Sequence, residues 1–277
     1  MKVIEFPSGS LDLPQCVTSG MVFRWTETAP GEWHGADGPY EWRLRWHPDR
    51  IELHDGDDAA LSSLLRLDED LAAVRQAIAA ADPDLAACWD ARPGFRLLRP
   101  QDPVEATIGF LCTSNNSLHR IVPMVRWLAA RTPGPAFPDL EGIAALSEAE
   151  LREARFGYRA VTIPRAAAQL AQDGGRDHLM QLRLAPYEEA KAYLLTLPGV
   201  GPKLADCIAL FALHHTLAVP VDTHVWQQAV RRYYPHWAGQ SLTPARMNQV
   251  GDALRDRFGI HAAWAQQLLF QENLRPG

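Results

Sequence analysis

The chain has 277 residues, 47% of them hydrophobic, enough to bury the core of one large domain or two modest ones. Its net charge of −6 argues against a nonspecific cationic DNA coat, because phosphate contacts require Lys and Arg; residues 52–70 carry seven acids against the single base Arg66, leaving 26 of each sign elsewhere. No run of 18 apolar residues and no basic-then-apolar leader occurs, so neither membrane insertion nor export is expected and the location reads as intracellular.

In chain order, FRW at Phe23 to Trp25 and the Gly/Trp-rich GEWHG predict short strands. In YEWRLRWHPDRIELH, apolar and polar residues alternate at Tyr40, Trp42, Leu44 and Trp46 and again at Ile51 and Leu53, with a turn-like HPDR between, which predicts a β-hairpin. Roughly the first 60 residues thus form an antiparallel sheet, and a helix is expected over about 68–81. From Pro103 the apolar period becomes 3.6 residues, broken at TPGPAFP, QDGG and LPGVGP. The expected architecture is α+β: an N-terminal antiparallel β-sheet domain with a flanking helix over residues 1–98, then an all-α domain over residues 99–277. Cys16, Cys88, Cys112 and Cys207 are too scattered for a zinc or iron–sulfur spacing and read as free thiols. No nucleotide-binding loop appears either, so no metal or cofactor is expected.

The richest stretch is YLLTLPGVGPKLADCIALFALHHTLAVPVDTHVWQQAV, residues 193–230. Pro198 should stop one helix, Gly199 and Gly201 should permit a tight turn, and Pro202 suits the first turn of the next helix. Such a hairpin presents main-chain groups of Gly199, Val200 and Gly201 beside a helix N-terminus, where a phosphate can bind. An isolated PGVG fits an ordinary helix connection equally well. Leu204, Cys207, Ile208 and Phe211 recur at helical spacing as a buried stripe, and Lys203 shares a face with Cys207. A lysine in the first turn of a helix bordering the core should have a lowered pKa, from both desolvation and the helix dipole, as an amine nucleophile needs. Asp222 precedes an apolar-periodic helix and fits an N-cap, a role that fixes its carboxylate in place. His214 and His215 read as a solvated helix end, and most tryptophans as core.

LPGVGPKLADC followed by VPVDTHVW resembles the helix-hairpin-helix, Gly/Pro-rich, Asp motif of base-excision DNA glycosylases, in its 8-oxoguanine branch. LDLPQCVTSGMVFRW, RLLRPQDPVEATIGFLCTSNNSLHRI, FGYRAVTI and AAWAQQLLFQENLR resemble the same branch in the same order. The resemblance implies that Lys203 attacks the sugar C1′ and forms a Schiff base, that β-elimination then nicks the strand, and that Asp222 stabilises the developing positive charge. It further implies damaged double-stranded DNA as partner, acted on by a monomer, in the nucleoid if the source is bacterial. Gly20 would accept N7–H of 8-oxoguanine, Gln266 would bond the Watson–Crick edge, and Phe270 and Cys207 would stack on either side of the flipped base. Asn115 would fill the gap left in the duplex, Arg120 and Arg159 would contact the opposing cytosine, Tyr158 would wedge beside the site, and His224 would contact a phosphate. The sequence departs from the branch at Met21 and Val22, where polar residues commonly stand, at Pro202 in place of a small residue, and at Ser117 in place of an asparagine. The lack of any cysteine after Cys207 disfavours the endonuclease III-like branch, and Lys203 disfavours the alkyl-purine glycosylases. A noncatalytic DNA-binding protein would leave Lys203, Asp222, Gln266 and Phe270 as coincidences.

Overall fold

The computed structural model describes residues 1–273. Its front part is a five-stranded antiparallel sheet of β1 (Lys2–Glu5), β2 (Trp25–Ala29), β3 (Glu32–Asp37), β4 (Tyr40–His47) and β5 (Arg50–Asp55), in spatial order β1-β5-β4-β3-β2. The expected hairpin is β4 and β5, and the chain meanders from β2 to β5 while β1 pairs along the other edge of β5. One face is apolar because the period-2 pattern brings Trp33, Leu44 and Leu53 into register across three strands. Elsewhere in the sheet Trp25, Gly35 and Trp42 are aligned, and the two indoles stack 5.8 Å apart. The Trp25 ring lies over the glycine, where a Cβ would stand 2.3 Å from it. Gly35→Ala is therefore expected to displace that indole and destabilise the protein by about 1–3 kcal/mol, read as a lower denaturation midpoint at unchanged slope. An unchanged midpoint would show that the stack does not depend on the gap.

Helix α1 (Leu13–Thr18) precedes β2, and its chain leaves through Ser19 and Gly20. After the sheet come α2 (Asp58–Leu64), α3 (Leu71–Ala81) and α4 (Pro83–Asp90), capped by the carboxylates of Asp57, Asp70 and Asp82. The helix expected over about 68–81 is α3, which starts later because Asp70 is its cap. The sequence pattern does not reveal α2 and α4, since seven and eight residues hold too few turns to establish a period.

The remainder is helical, as expected: α5 (Pro103–Leu111), α6 (Leu118–Ala129), α7 (Leu140–Ala144), α8 (Glu148–Glu153), α9 (Arg159–Gln172), α10 (Gly175–Leu184), α11 (Tyr187–Leu194), α12 (Pro202–Phe211), α13 (Thr223–Arg232), α14 (Pro244–Phe258) and α15 (Ala262–Asn273). Every residue of α5 is buried, as befits a helix that is apolar on nearly all sides. The sheet is fastened to it by charge. Arg24 pairs with Glu105, which also accepts the Gly38 N–H at 2.6 Å, while Asp37 accepts the N–H groups of Gln101 and Asp102 at 2.5 and 3.2 Å. Burial, reinforced by the Glu105 charge, pushes the Asp37 carboxyl above the usual carboxylate range. Farther along the chain, Trp89 of α4 stacks on Trp264 of α15 at 5.4 Å. Trp25, Trp33, Trp42, Trp89, Trp226 and Trp264 are all buried, in line with their reading as core.

His214 and His215 do not form a solvated helix end. His214 Nε2 lies 2.7 Å from the Pro100 carbonyl oxygen and His215 Nε2 lies 2.9 Å from that of Leu182, so each ring donates an N–H. Burial holds the His214 imidazole down at about 3, which keeps it neutral. These histidines tie the end of α12 to α10 and to the chain entering α5.

Candidate active site

The hairpin between α11 and α12 forms where expected, with two adjustments. α11 already ends at Leu194, so Pro198 shapes the turn and does not stop the helix. Gly199 has φ +82°, and a Cβ there would meet Thr162 of α9 at 3.0 Å, so conformation and packing both favour glycine. Gly201 is extended at φ −98°, and a Cβ on it would meet nothing within 4 Å. A side chain there would obstruct no part of the turn, contrary to expectation. Pro202 occupies the first position of α12, where its missing N–H costs no hydrogen bond.

One residue on, Lys203 is half-buried and lines a cavity of about 380 Å³. Asp222 lines the same cavity, held by its capping role at the start of α13, where its Oδ1 accepts the Val225 N–H at 2.8 Å. Gly20, Cys207, His224, Gln266 and Phe270 share the lining, so α12, α13, α15 and the chain after α1 converge here. His224 meets the Phe270 ring edge-on at 5.7 Å, and part of the wall is built on Phe110 and Phe211, which stack at 4.9 Å. Gly20, at φ +89°, is approached by Leu118, whose methyl carbon would lie 3.0 Å from any Cβ placed there. A cavity of this size with apolar walls and a few convergent polar groups suits a small organic ligand.

The electrostatics correct the sequence reading of the lysine. The Lys203 ammonium is held above the usual lysine range, by the Cys207 sulfur first and by Asp222 as well, against the downward pull of burial. Burial likewise raises the Cys207 thiol, opposed by Lys203. At neutral pH the resting Lys203 is therefore an ammonium, facing the Cys207 sulfur and Asp222. A nucleophilic Lys203 must first lose its proton, so single-turnover base release should climb with pH, by up to about tenfold per unit between about pH 7 and pH 9. A flat profile over that range would rule out amine deprotonation as a controlling step.

At the rim, Asn115 is exposed with φ +48°, a left-handed conformation that asparagine tolerates. Arg120 is exposed on α6, and Tyr158 is 53% exposed, its hydroxyl donating to the Ser114 carbonyl at 2.8 Å. Arg159, expected at the duplex, is only 4% exposed: its guanidinium lies over the Tyr158 ring and donates to the carbonyls of Ser114 and Asn115. Arg159 thus holds the loop that carries Asn115. Sequence reading misses Asn116 and Gln267, two polar residues on the cavity wall. The tandem glutamines of WAQQLLF are the available signal for Gln267. Among the described residues no cluster of three His, Cys, Asp or Glu could hold a metal ion, and no helix is long and apolar enough to cross a membrane.

Known proteins resemble this chain over both of its parts. The HhH-GPD superfamily of base excision DNA repair proteins matches residues 108–251, and the N-terminal domain of 8-oxoguanine DNA glycosylase matches residues 3–107. The chain belongs to the HhH-GPD superfamily of base excision DNA repair proteins. As a member of this superfamily it is 38% identical to the N-glycosylase/DNA lyase OGG1 of Arabidopsis thaliana, across 94% of this chain and 76% of that one. It is 31% identical to the N-glycosylase/DNA lyase of Saccharomyces cerevisiae, over 65% of this chain and 57% of the yeast protein. Its fold is shared with a Clostridium acetobutylicum 8-oxoguanine glycosylase/lyase solved in complex with double-stranded DNA containing cytosine opposite 8-oxoG, at TM-score 0.83, 22% identity and coverage of 99% and 98%. A 3-methyladenine DNA-glycosylase from Archaeoglobus fulgidus shares it at TM-score 0.73 and 18% identity, again covering 99% and 98%. The HhH-GPD match spans the hairpin, Lys203 and Asp222, and the N-terminal match includes Gly20.

Proposed function

We propose that this protein is a bifunctional DNA glycosylase/AP lyase that flips 8-oxoguanine out of duplex DNA, preferably opposite cytosine, and excises it through Lys203. The observation that carries the reading is the convergence of Lys203, Asp222, Gly20, Cys207, Gln266 and Phe270 on one cavity. All of them come from one chain, which supports action as a monomer. Such an enzyme works where chromosomal DNA is, inside the cell and at the nucleoid of a bacterium. Residues 1–98 and 99–277 are read as two domains that share this site and are joined through Arg24 and Glu105.

In the reaction, deprotonated Lys203 Nζ forms a bond to the sugar C1′ while the N-glycosidic bond breaks and the base leaves with its electron pair. The amine sheds one proton and the departing base takes up one, so protons balance. Asp222 stabilises the positive charge that builds at the sugar. Ring opening gives the Schiff base, and loss of a C2′ proton then expels the 3′ phosphate by β-elimination. In the base pocket the Gly20 carbonyl accepts N7–H, a donor present in 8-oxoguanine and absent from guanine, Gln266 reads the Watson–Crick edge, and Phe270 and Cys207 sandwich the ring. At the rim Asn115 fills the gap, Tyr158 wedges the duplex, Arg120 reads cytosine, Arg159 braces the loop from within, His224 meets a phosphate, and Gly199, Val200 and Gly201 meet another at the hairpin. A single-turnover panel of lesions opposite each of the four bases checks the substrate. Excision of 8-oxoguanine fastest opposite cytosine is the expected result, and equal rates opposite all four bases would contradict the assigned partner.

A further inference from the structure

Gln267 is buried, 6% exposed, and lines the same cavity as Gln266. Its Nε2 donates to Gln266 Oε1 at 2.8 Å, and Gln266 Nε2 donates to the Pro220 carbonyl at 3.0 Å, two residues before Asp222. A carboxamide offers two N–H donors and two acceptor lone pairs. Each end of Gln266 therefore has one partner in the protein and one valence left over. The Pro220 carbonyl can only accept, so it selects the nitrogen end of Gln266, and the oxygen end then faces Gln267, whose N–H secures it. Turning the amide over would set oxygen against oxygen at Pro220 and would break the bond from Gln267.

We propose that Gln267 is a specificity-determining positioning residue that, together with the Pro220 carbonyl, holds the Gln266 carboxamide in one orientation, so that the cavity selects a guanine-type over an adenine-type Watson–Crick edge. The proposal rests on the reading of Gln266 as the reader of the flipped base. A guanine-type edge presents an acceptor at O6 beside a donor at N1, and an adenine-type edge presents a donor at N6 beside an acceptor at N1. A fixed amide donates from Nε2 to O6 and accepts N1–H at Oε1. Against the adenine-type edge the same amide sets donor against donor and acceptor against acceptor, and a buried site rejects a ligand that leaves its polar groups unpaired. An amide free to turn over would serve both. Gln267 acts through Gln266 and needs no contact with the base.

The test compares single-turnover excision of 8-oxoguanine and 8-oxoadenine from otherwise identical duplexes, together with nicking at a preformed abasic site, which has no base to read. Gln267→Met keeps the length and removes the donor; Gln267→Glu replaces it with an anion that attracts the NH2 end of Gln266. The preference for 8-oxoguanine should fall by up to about tenfold in Gln267→Met, the worth of one hydrogen bond, with nicking at the abasic site unchanged in that variant, and the preference should fall further in Gln267→Glu. An unchanged preference in both variants overturns the proposal. So does a parallel fall in excision and abasic-site nicking in Gln267→Met, which marks a merely structural role. A parent protein that nicks abasic sites but releases no 8-oxoguanine instead overturns the functional reading itself, before any variant is compared.

Discussion

Lys203→Gln should abolish borohydride-trappable adducts and lower base release on the order of 10⁴-fold or more, because an amide can neither attack C1′ nor form a Schiff base. The same variant should melt at or a little below the parent. The Lys203 ammonium is held above the usual lysine range, so its charge contributes to stability at neutral pH, and glutamine removes that charge at similar length. A melt close to that of the parent, beside an inactive enzyme, would show that the loss is one of chemistry. A variant that retains excision would remove Lys203 from the mechanism.

Asp222→Asn separates two roles that coincide in one side chain. The Oδ1 that accepts the Val225 N–H is a cap, and asparagine caps about as well as aspartate, so stability should change little. What asparagine lacks is the charge. Turnover should fall on the order of 10²–10³-fold, the range seen when one electrostatic stabiliser of a transition state is removed, while DNA affinity stays close to that of the parent. The pH profile offers an independent mark. Asp222 helps hold the proton on Lys203, so its loss should shift the rise in base release to lower pH. A large drop in melting temperature would show that the side chain serves chiefly to cap α13.

The features legible in the sequence are those whose cause is local. The β4–β5 hairpin follows from alternation within one segment, Pro202 at the start of α12 from its missing N–H, and the Asp222 cap from its place before a periodic helix. Features whose cause lies elsewhere in the chain are misread or missed. The proton affinity of Lys203 depends in part on Asp222, which only folding brings near. His214 finds its partner at Pro100, 114 residues away, and Arg159 bonds to a loop 44 and 45 residues upstream, so neither burial can be inferred from neighbours in sequence. Gln267 is missed because a helix turns adjacent residues about 100° apart, so nothing in the pattern sets it on the face of Gln266, and only the cavity reveals that both line it. The resemblance carried the grouping of Gly20 with α12 and α15, which no periodicity relates.

The most direct test of the central claim is borohydride trapping of the full-length protein on a duplex with 8-oxoguanine opposite cytosine, followed by peptide mapping of the adduct. A covalent protein–DNA species linked at Lys203 is the predicted result. Base release with no adduct, or an adduct on any other residue, would contradict it.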